Sequence, residues 1–254
     1  MFLIYRLKYE CMCTVVFIPG KECNYFASLR DEDPQRPKAK APAIIGSKNV
    51  KYLAPIDSLA GGTWIGANEL GAVIILLNGG FQNHERKSPY AKSRGVIVTE
   101  LLQSAVPVMD WSRMNMDGIE PFTLILWADN MLFQLVWDGE KKHPIPVDPS
   151  KPHIWSSATL YDTPAKAKRE ALFQNWMLQR PRVSNAILLH FFKQFRDLDN
   201  GFLVNRNEHL QTLSYTYMET PIAGKAVVNY YDLQSFAYYT SGIHLESKIG
   251  ELIS

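Results

Sequence analysis

Met12-Cys13-Thr14-Val15-Val16-Phe17-Ile18-Pro19-Gly20-Lys21-Glu22-Cys23-Asn24-Tyr25-Phe26-Ala27-Ser28-Leu29-Arg30-Asp31-Glu32 is the stretch on which the fold of this chain turns. Thr14 to Ile18 is an expected strand, Pro19-Gly20-Lys21 a tight turn, and Cys23 to Ser28 a returning strand. The return delivers Arg30, Asp31 and Glu32 close to where the first strand began. A hairpin of this kind sets the Cys13 thiol beside an arginine and two carboxylates. If Cys13 headed the mature chain, its α-amine would join the group.

The rest of the composition bounds what such a corner can serve. At 254 residues the chain is long enough for one large domain or two small ones. With 46% apolar and 20% charged residues it reads as globular with a true core. A net charge of +2 implies neither a nucleic-acid partner nor an anionic membrane surface. Three cysteines at unrelated spacings make neither a disulfide framework nor a zinc site, and the six histidines are scattered. A reducing, cytoplasmic setting is therefore expected, with no metal and no other cofactor. Phe2-Leu3-Ile4-Tyr5 is too short for a signal-peptide core, and no run is apolar enough to span a bilayer.

Further along, Asp33 to Lys51 reads as a long loop holding at most one short strand. A second hairpin is expected from Gly61-Gly62-Thr63-Trp64-Ile65-Gly66-Ala67-Asn68 and the buried run Ala72 to Leu77, which ends at Asn78-Gly79-Gly80. Ser93 is the expected cap of a helix over Arg94 to Gln103, ended by Val106-Pro107 and followed by an irregular piece. Phe122 to Trp127 and Leu132 to Trp137 form a third hairpin, and Ile154 to Tyr161 another strand. Helices follow over Thr163 to Leu178 and Ser184 to Phe195, then strands over Gln211 to Met218 and Ala226 to Tyr231. Runs of strands with helices inserted point to a layered α+β domain rather than a doubly wound sheet. One domain, residues 13 to 245, is the expectation.

Several pieces of this order resemble one family, named for an Asn-Arg-Asp-Glu motif: the transport and Golgi organisation family of the Ntn-hydrolase-like superfamily. They are Met12-Cys13 with its apolar strand, Leu29-Arg30-Asp31-Glu32 with leucine in the asparagine place, and Arg36-Pro37. Gly61-Gly62-Thr63-Trp64-Ile65-Gly66, the strand end at Asn78, and Ser93-Arg94-Gly95 also match. In Trp155-Ser156-Ser157-Ala158-Thr159-Leu160 the family usually shows Ser-Asn, and Ser157 holds the second place. The resemblance runs from Met12 to about Tyr231. It implies a four-layer αββα sandwich of two antiparallel sheets flanked by helices. Because the family pattern begins at Met-Cys, residues 1 to 12 read as an upstream extension or a removed segment.

The same resemblance names the candidate site: Cys13, Arg30, Asp31, Asn78 and Ser157. A thiol of ordinary pKa about 8.5 and an α-amine near 7.7 to 8.0 are matched for proton transfer at neutrality. An N-terminal cysteine thus carries its own base, whereas a cysteine inside the chain is an ordinary buried strand residue. Arg30 would favour the thiolate and Asp31 would accept from the ammonium. Glu32 reads more simply as a partner for Arg36. Asn78 would donate its amide to an oxyanion, with Ser157 as a shorter second donor. The implied activity is hydrolysis of a C–N amide bond in a small acylated molecule. The alternative, from eukaryotic relatives, is a carrier of haem or an acyl lipid on the same fold, and Leu29 and Ser157 lean that way.

Overall fold

The computed structural model describes residues 12–46, 50–85, 89–159, 161–179, 181–196, 201–206 and 210–246. Apart from Met12 the expected upstream segment lies outside them, as does Leu160. The first strands are β1 (Met12–Ile18), β2 (Cys23–Glu32), β3 (Lys40–Gly46), β4 (Lys51–Ile56), β5 (Ile65–Asn68) and β6 (Val73–Asn78). Helices α1 (Arg94–Leu102) and α2 (Pro107–Arg113) follow. Next come β7 (Phe122–Ala128), β8 (Met131–Trp137), β9 (Lys142–Val147) and β10 (His153–Ser156). Helices α3 (Thr163–Leu178) and α4 (Asn185–Gln194) precede β11 (Asn205–Arg206), β12 (Leu210–Pro221), β13 (Lys225–Asp232) and β14 (Ala237–His244).

The strands form two antiparallel sheets. One runs β10-β1-β2-β12-β13-β14 with β11 beside β12; the other runs β3 to β9 in sequence order. Strand alternation decides how they stack. In β1, Cys13, Val15 and Phe17 face the second sheet and share its core, whereas Val16 and Ile18 join Phe173, Leu188, Phe191 and Phe192 of α3 and α4. Phe17 meets Phe26 at 5.1 Å between ring centroids and Trp127 of the other sheet at 5.7 Å. On the far side, Ile97, Val98, Leu101 and Leu102 of α1 complete the same core. The result is the expected α+β sandwich, helices outside two packed sheets.

The opening hairpin forms in register, with Cys13 opposite Arg30 and Phe17 opposite Phe26. Its second strand is longer than its apolar run. Arg30, Asp31 and Glu32 lie in strand, not in a turn, because β12 pairs with β2 through Glu32. The segment from Asp33 to Lys51 holds one strand, β3, and ends on the first residue of β4. Pro107 opens a short helix where an irregular piece was expected, its missing N–H costing nothing at a first turn. Strand β9 was hidden by Pro144 and Pro146, which an edge strand tolerates. Strand β10 stops at Ser156, well short of Tyr161. Asp162, not Thr163, caps α3, accepting from Ala165 N at 2.9 Å.

One glycine pair positions the site. A Cβ on Gly62 would lie 2.2 Å from the carbonyl carbon of Gly95, and Thr63 N donates to Gly95 O at 3.1 Å. The loop before β5 is thus pressed on the start of α1. Gly62→Ala should cost about 1–3 kcal/mol by forcing this contact apart. Gly46→Ala, whose Cβ would meet only the flexible Lys51 side chain, should stay within about 1 kcal/mol of wild type in a denaturant titration.

Candidate active site

Neighbouring residues of β2 send their charges in opposite directions. Arg30 faces between the sheets, on the side of Cys13, and is 4% exposed. Its Nη2 donates to Asp57 Oδ2 at 2.8 Å and Glu32 Oε2 at 3.2 Å, and its guanidinium lies over the Trp64 ring at 4.6 Å. Arg36 holds the same Asp57 carboxylate through Nε at 2.8 Å and Nη2 at 3.2 Å, with Glu32 3.5 Å away. Glu32 therefore does pair with Arg36, and shares it. Asp57 Oδ1 also accepts from Leu59 N and Ala60 N. Burial pushes the Asp57 carboxyl up, but the bonds from Arg36 and Ala60 and the two guanidinium charges prevail, leaving it below its ordinary range.

Asp31 points the other way, into the layer beneath α3. It is fully buried; Oδ1 accepts from Thr212 Oγ1 at 2.6 Å, and Oδ2 has no partner among the described residues. Burial raises its carboxyl to about 7, against the Thr212 bond and the fields of Arg169 and Arg206. Arg169, 1% exposed on α3, donates Nε to Ser156 Oγ at 2.9 Å, Nη1 to the Gly201 carbonyl and Nη2 to Thr14 Oγ1. Its guanidinium meets the ring face of Tyr161, 4.0 Å from the centroid.

Asn78 and Ser157 are brought together by backbone. Ser157 N donates to the Cys13 carbonyl at 3.1 Å, and Ser157 Oγ donates to the Asn78 carbonyl at 2.6 Å. One serine thus ties the start of β1 in one sheet to the end of β6 in the other. Gly79, at φ 80°, lets this happen: a Cβ there would lie 2.9 Å from Thr159 Cγ2. Arg30 and Asn78 line a cavity of about 510 Å³ together with Asp57, Trp64 and Arg94. Ser157 lines a second, of about 260 Å³, with Leu77, Gln134 and Trp155. Consecutive residues of β6, Leu76 and Leu77, line different cavities, as strand alternation requires.

All five expected residues therefore lie around the start of β1, with Asp31 separated from Arg30 by the sheet. Asp57, Tyr161 and Arg169 were not anticipated. Asp57 had one signal, an Asp-Ser-Leu-Ala-Gly stretch suited to a side-chain-closed turn; the other two had none. Among the described residues no group of three or more His, Cys, Asp or Glu could hold a metal ion. No helix of the described residues is long and apolar enough to cross a membrane.

Residues 12–222 match the family described as Transport and Golgi organisation 2. The chain belongs to that family. Solved structures place its fold. The Caenorhabditis elegans N-acylethanolamine-hydrolyzing acid amidase ortholog superposes with TM-score 0.54 at 11% identity, covering 81% of this chain and 92% of its own. The conjugated bile acid hydrolase of Clostridium perfringens, as a cysteine-to-alanine mutant, gives 0.54 at 10% identity over 94% and 99%. An arginine-to-leucine variant of that hydrolase gives 0.52 at 10% over 94% and 100%. No curated protein matches the chain in sequence. At these identities the likeness is one of fold, Ntn-hydrolase-like, which the family resemblance in the sequence had implied.

Two consequences are measurable. Asp57→Ala would leave buried Arg30 and half-buried Arg36 with Glu32 as their one remaining shared carboxylate, and should cost about 3 kcal/mol in denaturant unfolding. Asp31 binds a proton more tightly folded than unfolded, so between its unfolded value near 4 and its folded value of about 7 it makes stability fall as pH rises. The slope approaches roughly 1.4 kcal/mol per pH unit for one proton. Asp31→Asn should flatten the unfolding midpoint between pH 5 and 7; an unchanged slope would assign the titration to another group.

Proposed function

We propose that this protein hydrolyses the C–N amide bond of a small acylated molecule, with Cys13 as the N-terminal nucleophile of a mature chain that begins there and of a single domain over residues 13 to 245. The observation that carries the reading is the convergence at the start of β1 of a buried thiol, Arg30 in direct register and the Ser157 bridge to Asn78. The fold neighbours support it: one is named for hydrolysing an N-acylethanolamine, the other a conjugated bile acid. The bile acid hydrolase was solved with a cysteine or an arginine altered, the two residue types paired here as Cys13 and Arg30.

In this reading the Cys13 α-amine takes the thiol proton, and the thiolate attacks the substrate carbonyl. The Asn78 side-chain amide stabilises the oxyanion, while Ser157 holds the Asn78 backbone in place. The ammonium returns its proton to the departing amine nitrogen as the C–N bond breaks. Water, deprotonated by the same amine, then cleaves the thioester. Arg30, shared by Asp57 and Glu32, orders the wall of the larger cavity. Free Cys13 and Cys23 suit a reducing, cytoplasmic setting.

A non-catalytic carrier of haem or an acyl lipid is the second reading. It is favoured by Leu29, which packs fully buried on the helix side where the family motif has asparagine.

The test is a thiol-reactive acyl probe on protein beginning at Cys13, read by intact mass. Stoichiometric labelling at Cys13 is expected, lost in Cys13→Ser and slowed at least about tenfold in Arg30→Ala. Cys23 is the internal control, because burial and the charge of Glu219 raise its thiol to about 11. Labelling of Cys13 no faster than Cys23, with tight binding of haem or an acyl lipid, would support the carrier. A mature chain from the native host that retains Met1 would sink the nucleophile.

A further inference from the structure

Among the described residues, two buried polar atoms beside the start of β1 have no aligned hydrogen-bond partner. One is Asp31 Oδ2. The other is the hydroxyl of Tyr161, a residue 1% exposed, with the Arg169 guanidinium beside it. Their neighbourhood is fixed from every side. The backbone of Tyr161 donates to Ser157 O at 3.4 Å, and Ser157 N donates to the Cys13 carbonyl. Asp31 is the cross-strand partner of Met12, the residue whose removal would leave the Cys13 nitrogen as a chain terminus. Asp31 on β2, Arg169 on α3, Arg206 on β11 and Cys13 on β1 all lie within electrostatic reach of the Tyr161 phenol. Thr212 of β12 closes the group through Asp31 Oδ1.

Two such buried oxygens can each accept a further hydrogen bond, and a donor placed between them would satisfy both. We infer that Tyr161 is a positioning residue for the matured terminus, its hydroxyl and Asp31 Oδ2 forming a two-point seat for the Cys13 α-amine. The inference rests on the N-terminal-nucleophile reading and deepens it. A neutral amine has two N–H bonds and one lone pair. With one N–H given to the carboxylate and the other to the phenol oxygen, the lone pair is left to face the thiol proton. When that proton has moved from sulfur to nitrogen, the third N–H lies toward the thiolate and the first two bonds persist. Arg169, over the Tyr161 ring and bonded to Thr14, holds the phenol against β1.

The test measures the rate of Cys13 alkylation against pH in the mature protein beginning at Cys13, obtained by translation from Met12 and removal of that methionine. Tyr161→Phe keeps the ring and its stacking on Arg169 while deleting one seat. It should slow alkylation at neutral pH about fivefold. It should also move the midpoint of the profile by about half to one pH unit, with the thermal midpoint held. A fast wild type and an unchanged Tyr161→Phe profile would overturn the seat and leave the nucleophile standing. A wild type that labels no faster than Cys23 would overturn both, beginning with the nucleophile. If Tyr161→Phe loses cooperative unfolding, Asp31→Asn reads the opposite wall. Its profile must then shift, and an unmoved one counts against the seat.

Discussion

The first strand is buried on both faces, and the site depends on that constraint more than on any single bond. Odd residues of β1 pack against the second sheet, and even residues pack under α3 and α4. A slip of one residue would exchange the two sets, moving Phe17 out of its contact with Trp127 and Cys13 out from between the sheets. The thiol is therefore held by the same packing that holds the hydrophobic register. Thr14 is committed by the same rule, and its hydroxyl meets Arg169 on the helix side.

Alternation on β2 has an electrostatic consequence. Arg30 and Asp31 are chain neighbours, yet they are separated by the sheet and cannot neutralise each other. Each must find partners on its own face. Arg30 finds Asp57 and Glu32, which it shares with Arg36 at the edge of the larger cavity. Asp31 finds Thr212 and the field of Arg169 and Arg206, and stays under-bonded. Buried charges of this kind add little net stability, because desolvation offsets most of the attraction. What they supply is definition: a fixed wall on one side of β1 and a buried polar corner on the other.

Much of the fold was legible because the central strands are long apolar runs closed by strong turn residues. The runs before Pro19-Gly20 and before Asn78-Gly79 became β1 and β6, and Phe122 to Trp137 became the hairpin of β7 and β8. The edges were not legible. Strand β9 carries two prolines, and β14 is largely exposed along Tyr238 to Thr240, so neither shows the pattern of a buried strand. Helix α2 is too short for a period to show.

From the residues alone, the chain determines an opening hairpin that sets Cys13 against Arg30 and a buried strand ending at Asn78, while Ser157 was named only by the family resemblance. Those features are local: a strand, a turn and its register span a few residues each. Only the tertiary structure decided which charges meet. Arg30 and Asp57 are far apart along the chain, as are Asp31 and Thr212, and Ser157 reaches Asn78 across two different sheets. Such contacts follow from how the sheets stack and where α3 crosses β1. No periodicity encodes that, because it is settled by side-chain volumes packed from both sides of a strand that has no exposed face.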